Sequence, residues 1–124
     1  MYITNTSRTR QERTRSGNAV WWLLSEEIGA PNFELRYFEL EQGRSTTYGA
    51  HPWEHEVYIV KGQGRLKGKD LEGRTVDQAL APGDAIFIGP EEEHQFLNPG
   101  EETLGFLCVI PKGAENDYRR GTGT

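Results

Sequence analysis

The chain contains three histidines among its 124 residues, and their placement suggests a shared task. His51 and His55 stand four residues apart in Gly49-Ala50-His51-Pro52-Trp53-Glu54-His55-Glu56-Val57-Tyr58-Ile59-Val60-Lys61-Gly62, and His94 lies in a second stretch from Gly83 to Asn98. Imidazole is the commonest protein ligand for divalent transition metals. A site needs three or four such groups pointing at one place. On residue types and spacing alone, the set reads either as one metal site or as three satisfied polar side chains, because a short His pair is a weak pattern.

The elements that must position these residues are short strands. Thr46-Thr47-Tyr48 leads into His51, and Pro52, which cannot donate a ladder hydrogen bond, ends or turns the chain near Pro52-Trp53-Glu54. Glu56 to Lys61 resumes as a strand, closed by Gly62-Gln63-Gly64. His51 and His55 therefore flank a turn and can face each other, while His94 opens a later strand (His94 to Leu97) just after a loop. Upstream, Ala19 to Ser25 is the first apolar run. In Phe33 to Leu40, Phe33, Leu35 and Tyr37 fall on one face and Glu34 and Arg36 on the other, a period of two that marks a half-buried strand. Arg65 to Lys67 and Thr75 to Leu80 form a hairpin around Gly68 to Gly73. Ala85 to Ile88 reads as a short buried strand, and Thr103 to Ile110 as the last one, stopped by Pro111. Eight or nine short strands with frequent turn signals and no long helical period predict an all-β sandwich or barrel. Alternate residues of a barrel strand face inward, which is how such a fold brings distant histidines together.

Composition narrows the function. The length suits one domain. No stretch approaches the ~18 apolar residues of a membrane span, and Met1 to Gly17 lacks the apolar core of a secretion signal, so a cytoplasmic protein is expected, without membrane partners. One cysteine, Cys108, forms no internal disulfide, in keeping with a reducing compartment. Its apolar surroundings, Gly105 to Ile110, favour a buried structural thiol over a nucleophile. The formal charge of -5 is uneven: residues 1–18 carry Arg8, Arg10, Arg13 and Arg15 against Glu12, so the rest is strongly acidic. An acidic body argues against nucleic-acid binding. Residues 1–18 read as a basic arm without assured structure, 19–113 as the barrel and 114–124 as a polar tail.

The two histidine-bearing stretches resemble the paired motifs of the cupin superfamily. The first cupin motif runs Gly, five residues, His, one residue, His, three or four residues, Glu, six residues, Gly. Here it becomes Gly43, Gly49, His51, His55 and Gly62 at those spacings. The second runs Gly, five residues, Pro, one residue, Gly, two residues, His, three residues, Asn, and becomes Gly83, Gly89, Glu91, His94 and Asn98. The resemblance spans Phe33 to Pro111 and, with Ala30-Pro31-Asn32-Phe33, points to the small single-domain cupins with one conserved barrel. It implies a double-stranded β-helix, or jelly-roll barrel, and a homodimer. It also implies one divalent transition metal ion (iron, manganese, nickel, copper or zinc) on His51, His55 and His94. The chain departs from the pattern at Gly49, where the family's first histidine belongs, and at His55, where its glutamate belongs.

A set of three neutral ligands leaves the charge of a divalent ion uncancelled, so the ion stays a strong Lewis acid, with open positions for a chelating substrate and dioxygen in six-coordinate geometry. The leading expectation is a metal-dependent, dioxygenase-like oxidoreductase acting on a small organic substrate. The rivals are a non-catalytic small-molecule or metal-binding protein and a metal-dependent isomerase or lyase, since one fold hosts many chemistries. Tyr48 beside the vacant position, Glu54 and Glu56 around His55, and the run Glu91-Glu92-Glu93 are expected in solvent. Trp53 and Phe96 are expected to pack or to line the cavity, and Gln95 to face away from the site.

Overall fold

Two sheets of unequal size enclose the interior. The computed structural model describes residues 1–114. Among them are nine strands: β1 (Gln11–Arg13), β2 (Ala19–Leu24), β3 (Phe33–Leu40), β4 (His55–Lys61), β5 (Gly64–Lys69), β6 (Thr75–Leu80), β7 (Ala85–Ile88), β8 (Glu93–Leu97) and β9 (Leu104–Pro111). A six-stranded sheet has the order β1-β2-β3-β9-β4-β7 and a three-stranded sheet the order β6-β5-β8. Every pairing is antiparallel. The architecture is the jelly-roll barrel expected from the sequence.

Strand β4 shows why these residues fold this way. Its β-branched and aromatic side chains suit a pleated surface. His55, Val57 and Ile59 are buried, while Glu56, Tyr58 and Val60 point outward. The interior is filled by Phe38, Leu40, Ile59, Leu104, Phe106 and Ile110. Phe106 stacks between Phe38 and Phe96 at ring distances of 5.2 and 4.9 Å. Each large apolar side chain so buried contributes about 1.5–3 kcal/mol.

Three expectations need correction. The alternation of β3 is real, but its faces are the reverse of an ordinary half-buried strand. Glu34 and Arg36 are each 1% exposed, whereas Phe33 is 70% exposed. The inward face of β3 continues through Phe38 and Leu40, so the apolar end of the strand sets the direction and carries the two charged residues inside with it. Strand β7 is an edge strand rather than a buried one: Ile88 is buried but Ala85 and Phe87 are exposed. Within the basic arm, Gln11–Arg13 is ordered as β1, pairing Gln11 with Trp21 and Arg13 with Ala19. The tail expected at 114–124 lies outside the described residues beyond Ala114.

Candidate metal centre

His55 is the first residue of β4 and His94 the second of β8, so the two reach the interior from opposite sheets. Gly68 of β5 stands opposite His94, and a Cβ there would come 1.9 Å from the Glu93 carbonyl oxygen. Only a residue without a side chain lets β5 lie this close to the strand that carries His94. His51 sits on no strand. Its segment is tied to the start of β8 by a single bridge, with Gly49 N–H donating to the His94 carbonyl (3.2 Å) and His94 N–H to the Gly49 carbonyl (2.9 Å). Glu91 N–H donates to the His51 carbonyl at 2.6 Å.

The three rings meet in a nearly equilateral triangle, with centroid separations of 5.1 Å (His51–His55), 5.2 Å (His51–His94) and 5.0 Å (His55–His94). One ring nitrogen from each lies within 4.8 Å of the others. Imidazole nitrogens bind zinc at about 2.0–2.1 Å, so each ring needs to move inward by less than about 1 Å to share one ion. His55 and His94 are buried and His51 is half-buried, with Trp53 stacked flat on it at 4.9 Å and 4°. The site is therefore reached from the side of His51 and Trp53.

The protonation states suit ligation. Burial pushes the His55 imidazolium down to about 2, helped by the positive charge of Arg36 and by the neighbouring His94 and His51. Burial also lowers His94, against the opposing pull of the Glu92 carbonyl. Both are neutral near pH 7. The Nδ1 of His94 lies 2.9 Å from the Glu92 carbonyl oxygen. A carbonyl only accepts, so Nδ1 carries the proton and Nε2 keeps its lone pair. The Nε2 of His55 is buried without a hydrogen-bond partner. An orphaned imidazole nitrogen beside two other imidazoles fits a metal ion, because a buried polar atom left unsatisfied is costly.

The structure thus brings together all three histidines singled out in the sequence, and it leaves the other candidates outside. Tyr48 is exposed and donates to Glu93 Oε1 at 3.0 Å. Glu54, Glu56, Glu91 and Glu93 are exposed, and Glu92 Oε1 accepts from Gly89 N–H, shaping the loop. Gln95 donates to the Thr46 carbonyl. At Gly49, a Cβ would meet nothing within 4 Å. Gly49 lies opposite His94 in an antiparallel bridge, where side chains share a face, so the family's missing histidine leaves space rather than a filled position.

Two neighbours were not foreseen. Arg36 reaches across to β9, its Nη2 donating to Cys108 Sγ at 3.0 Å, with the guanidinium lying over the rings of Phe38 (4.7 Å) and Trp22 (5.3 Å). Cys108 Sγ is 3.4 Å from His55 Nδ1. The thiol is buried as expected, and burial pushes its pKa up, but it touches the site as well as the core. The available signal was the period of two in β3, followed through to Phe38 and Leu40, which places Arg36 on the inward face.

A jelly-roll barrel with imidazoles gathered near one opening defines a class, and comparison with known proteins agrees. Residues 36–110 match the cupin domain family, and the chain belongs to it. It is 43% identical over 84 residues to the 1-methylthio-D-xylulose 5-phosphate methylsulfurylase of Rhodospirillum rubrum, covering 68% of this chain and 49% of that one. It is 34% identical over 64 residues to the glucose-6-phosphate isomerase of Pyrococcus horikoshii, covering 51% of this chain and 34% of the isomerase. The chain thus spans about half the length of the first relative and a third of the second. Among solved structures, the polyketide cyclase RemF from Streptomyces resistomycificus superposes with a TM-score of 0.77 at 32% identity, covering 90% of this chain and 79% of that one.

Proposed function

We propose that His51, His55 and His94 hold one divalent transition metal ion and that the protein acts on a small carbonyl-bearing organic molecule. The observation that carries this reading is the convergence of three imidazoles, one with a buried and unpartnered Nε2. Bound there, the ion would supply Lewis-acid polarisation of a substrate oxygen. The protein's own part is to keep His55 and His94 neutral by burial, to fix the His94 ring through the Glu92 carbonyl, and to present the Trp53 ring beside His51. Relatives named for glucose 6-phosphate and for a xylulose 5-phosphate derivative favour sugar-derived carbonyl compounds and non-oxidative chemistry, such as proton transfer beside a carbonyl. The dioxygenase-like oxidation that led from the sequence is the second reading. It is favoured by a set of only three protein ligands, since an ion held by so few would have capacity for further donors.

The test begins with untagged protein and its His94→Ala variant, assayed for bound metal after exposure to iron, manganese, nickel, copper or zinc. The expected result is near-stoichiometric metal in the parent and little in the variant. The loaded parent is then given sugar phosphates in deuterated water without oxygen. Deuterium entering the carbon beside the carbonyl supports the first reading, and oxygen uptake in air without exchange supports the second. A parent that takes up no metal sinks both and leaves a non-catalytic binding protein.

We further propose a homodimer formed through the outer face of the six-stranded sheet. Tyr58 and Phe87 stand in solvent there beside the apolar Leu35, Leu107 and Val109, which together line a surface hollow of about 420 Å³. Apolar groups gathered on one face are characteristic of an interaction surface. Light scattering at micromolar concentration checks it, with a mass of twice the chain expected.

A further inference from the structure

We propose that Cys108 is a positioning residue for the metal centre: its sulfur accepts the Nδ1 proton of His55 and so directs the Nε2 lone pair toward His51 and His94. This inference rests on the metal-binding reading given above.

The strand register makes the arrangement. On β9, Cys108 stands opposite Arg36 of β3 and opposite Val57 of β4. His55 is two residues before Val57 on the same inward face, the diagonal cross-strand position, within reach of a side chain on the neighbouring strand. The sulfur therefore sits between a guanidinium at 3.0 Å and an imidazole nitrogen at 3.4 Å. Arg36 can only donate, so it occupies one lone pair of the sulfur and holds it in place. The remaining contact can run in two directions. If the thiol donated to His55 Nδ1, the neutral ring would carry its proton on Nε2, the atom that faces the other two histidines, and could not bind an ion there. If Nδ1–H donates to the second lone pair of the sulfur, Nε2 is free. His94 is set the same way by a group that can only accept, the Glu92 carbonyl. The pair of buried ligands would then each have one nitrogen anchored to the protein and the other presented to the ion, which is how outer partners usually orient metal-binding imidazoles.

The first experiment needs no variant and no metal. The ¹⁵N chemical shifts of the His55 ring in metal-free protein near neutral pH report which nitrogen bears the proton. The expected result is Nδ1–H. A ring protonated on Nε2 overturns the proposal. The second experiment measures zinc affinity by chelator competition for the parent, Cys108→Ala and Cys108→Ser. Loss of an outer partner typically costs roughly 10–100-fold in affinity. That loss is expected in Cys108→Ala, together with a mixed tautomer signal, and the hydroxyl of Cys108→Ser should recover most of it. Zinc affinity in Cys108→Ala within about twofold of the parent would overturn the role, since it would fall below the range of an outer partner. A parent that binds no zinc overturns the metal reading and the positioning role with it, whereas a parent that binds zinc with the metal-free ring protonated on Nε2 overturns the positioning role alone.

Discussion

The inner and outer faces of the six-stranded sheet differ in a direction opposite to the usual one. Toward the site, the inner face carries Arg36, His55 and Cys108, all buried, with Glu34 buried further along β3. The outer face of the same strands carries Phe33, Tyr58 and Phe87, with Phe87 60% exposed. Further from the site, the inner face is ordinary, with Leu40, Ile59 and Leu104 fully enclosed. Taking a charge out of water costs several kcal/mol per ion unless partners compensate. Inside, the compensation is visible as aromatic rings around Arg36, a thiol accepting its N–H, and imidazoles held neutral. The contrast separates the two faces: buried polar groups gather inward beside the histidines, while large apolar side chains stand outward in solvent.

The sharpest way to break this comparison is to remove an inner polar group. His55→Ala should lower zinc affinity by more than the roughly 10–100-fold expected of an outer partner, read by chelator competition. Parent-like affinity would mean that the inner polar cluster serves something else. A neighbouring pair on β4 compares the faces directly. Ile59→Ala should cost about 2–5 kcal/mol of stability in urea unfolding, while Val60→Ala, one residue along and facing outward, should stay within about 0.5 kcal/mol. Equal costs would erase the distinction between faces.

Filling the space at residue 49 sharpens the inner half. Gly49→His meets no neighbour within 4 Å of its Cβ and should tighten zinc binding by about tenfold, or 1.4 kcal/mol. Acid gives a smaller, graded effect. His55 stays neutral in the fold down to about 2, whereas the unfolded chain takes up a proton near pH 6.5. The unfolded state thus binds more protons, and stability of the metal-free protein is expected to fall as pH drops below about 6.5. Arg36→Met removes a charge that lowers His55, so the acid loss should be shallower in that variant. A steeper loss would contradict the role assigned to the guanidinium. Phe87→Glu probes the outer half: the mass by light scattering should fall from dimer to monomer while stability of the monomer changes by no more than about 0.5 kcal/mol.

Much of this was legible in the sequence. The strands from β2 to β9 fall close to the positions set by alternation and by Gly and Pro punctuation, and the three histidines converge as their motif spacing implied. What could not be read was which face of β3 turns inward. A period of two fixes alternation but not its sign, and at Glu34 and Arg36 the sign runs against hydrophobicity because the neighbouring Phe38 and Leu40 decide it. The contact of Cys108 with His55 was hidden for a related reason. It spans 53 residues of sequence and arises from the register of β9 between β3 and β4, which no local pattern encodes. The pairing of β1 with β2 was missed because Gln11-Glu12-Arg13 offers no apolar alternation.

The stitching of segment 49–51 to the start of β8 bears on how an ion would be received. Two backbone hydrogen bonds join Gly49 to His94, and a third joins His51 to Glu91 in the loop before β8, where Glu91 holds a left-handed conformation (φ 67°) at the position of the family motif's glycine. Such a conformation costs of order 1–3 kcal/mol in a non-glycine residue and persists only where the surroundings impose it. The backbone under His51 and His94 is therefore preorganised, with its ordering entropy already spent during folding. An arriving ion would find the His94 ring already held by the Glu92 carbonyl and would have only small ring adjustments left to make. Exchanging one metal for another would then leave the chain path unchanged, so selectivity among ions would rest on small ring rotations rather than on loop closure.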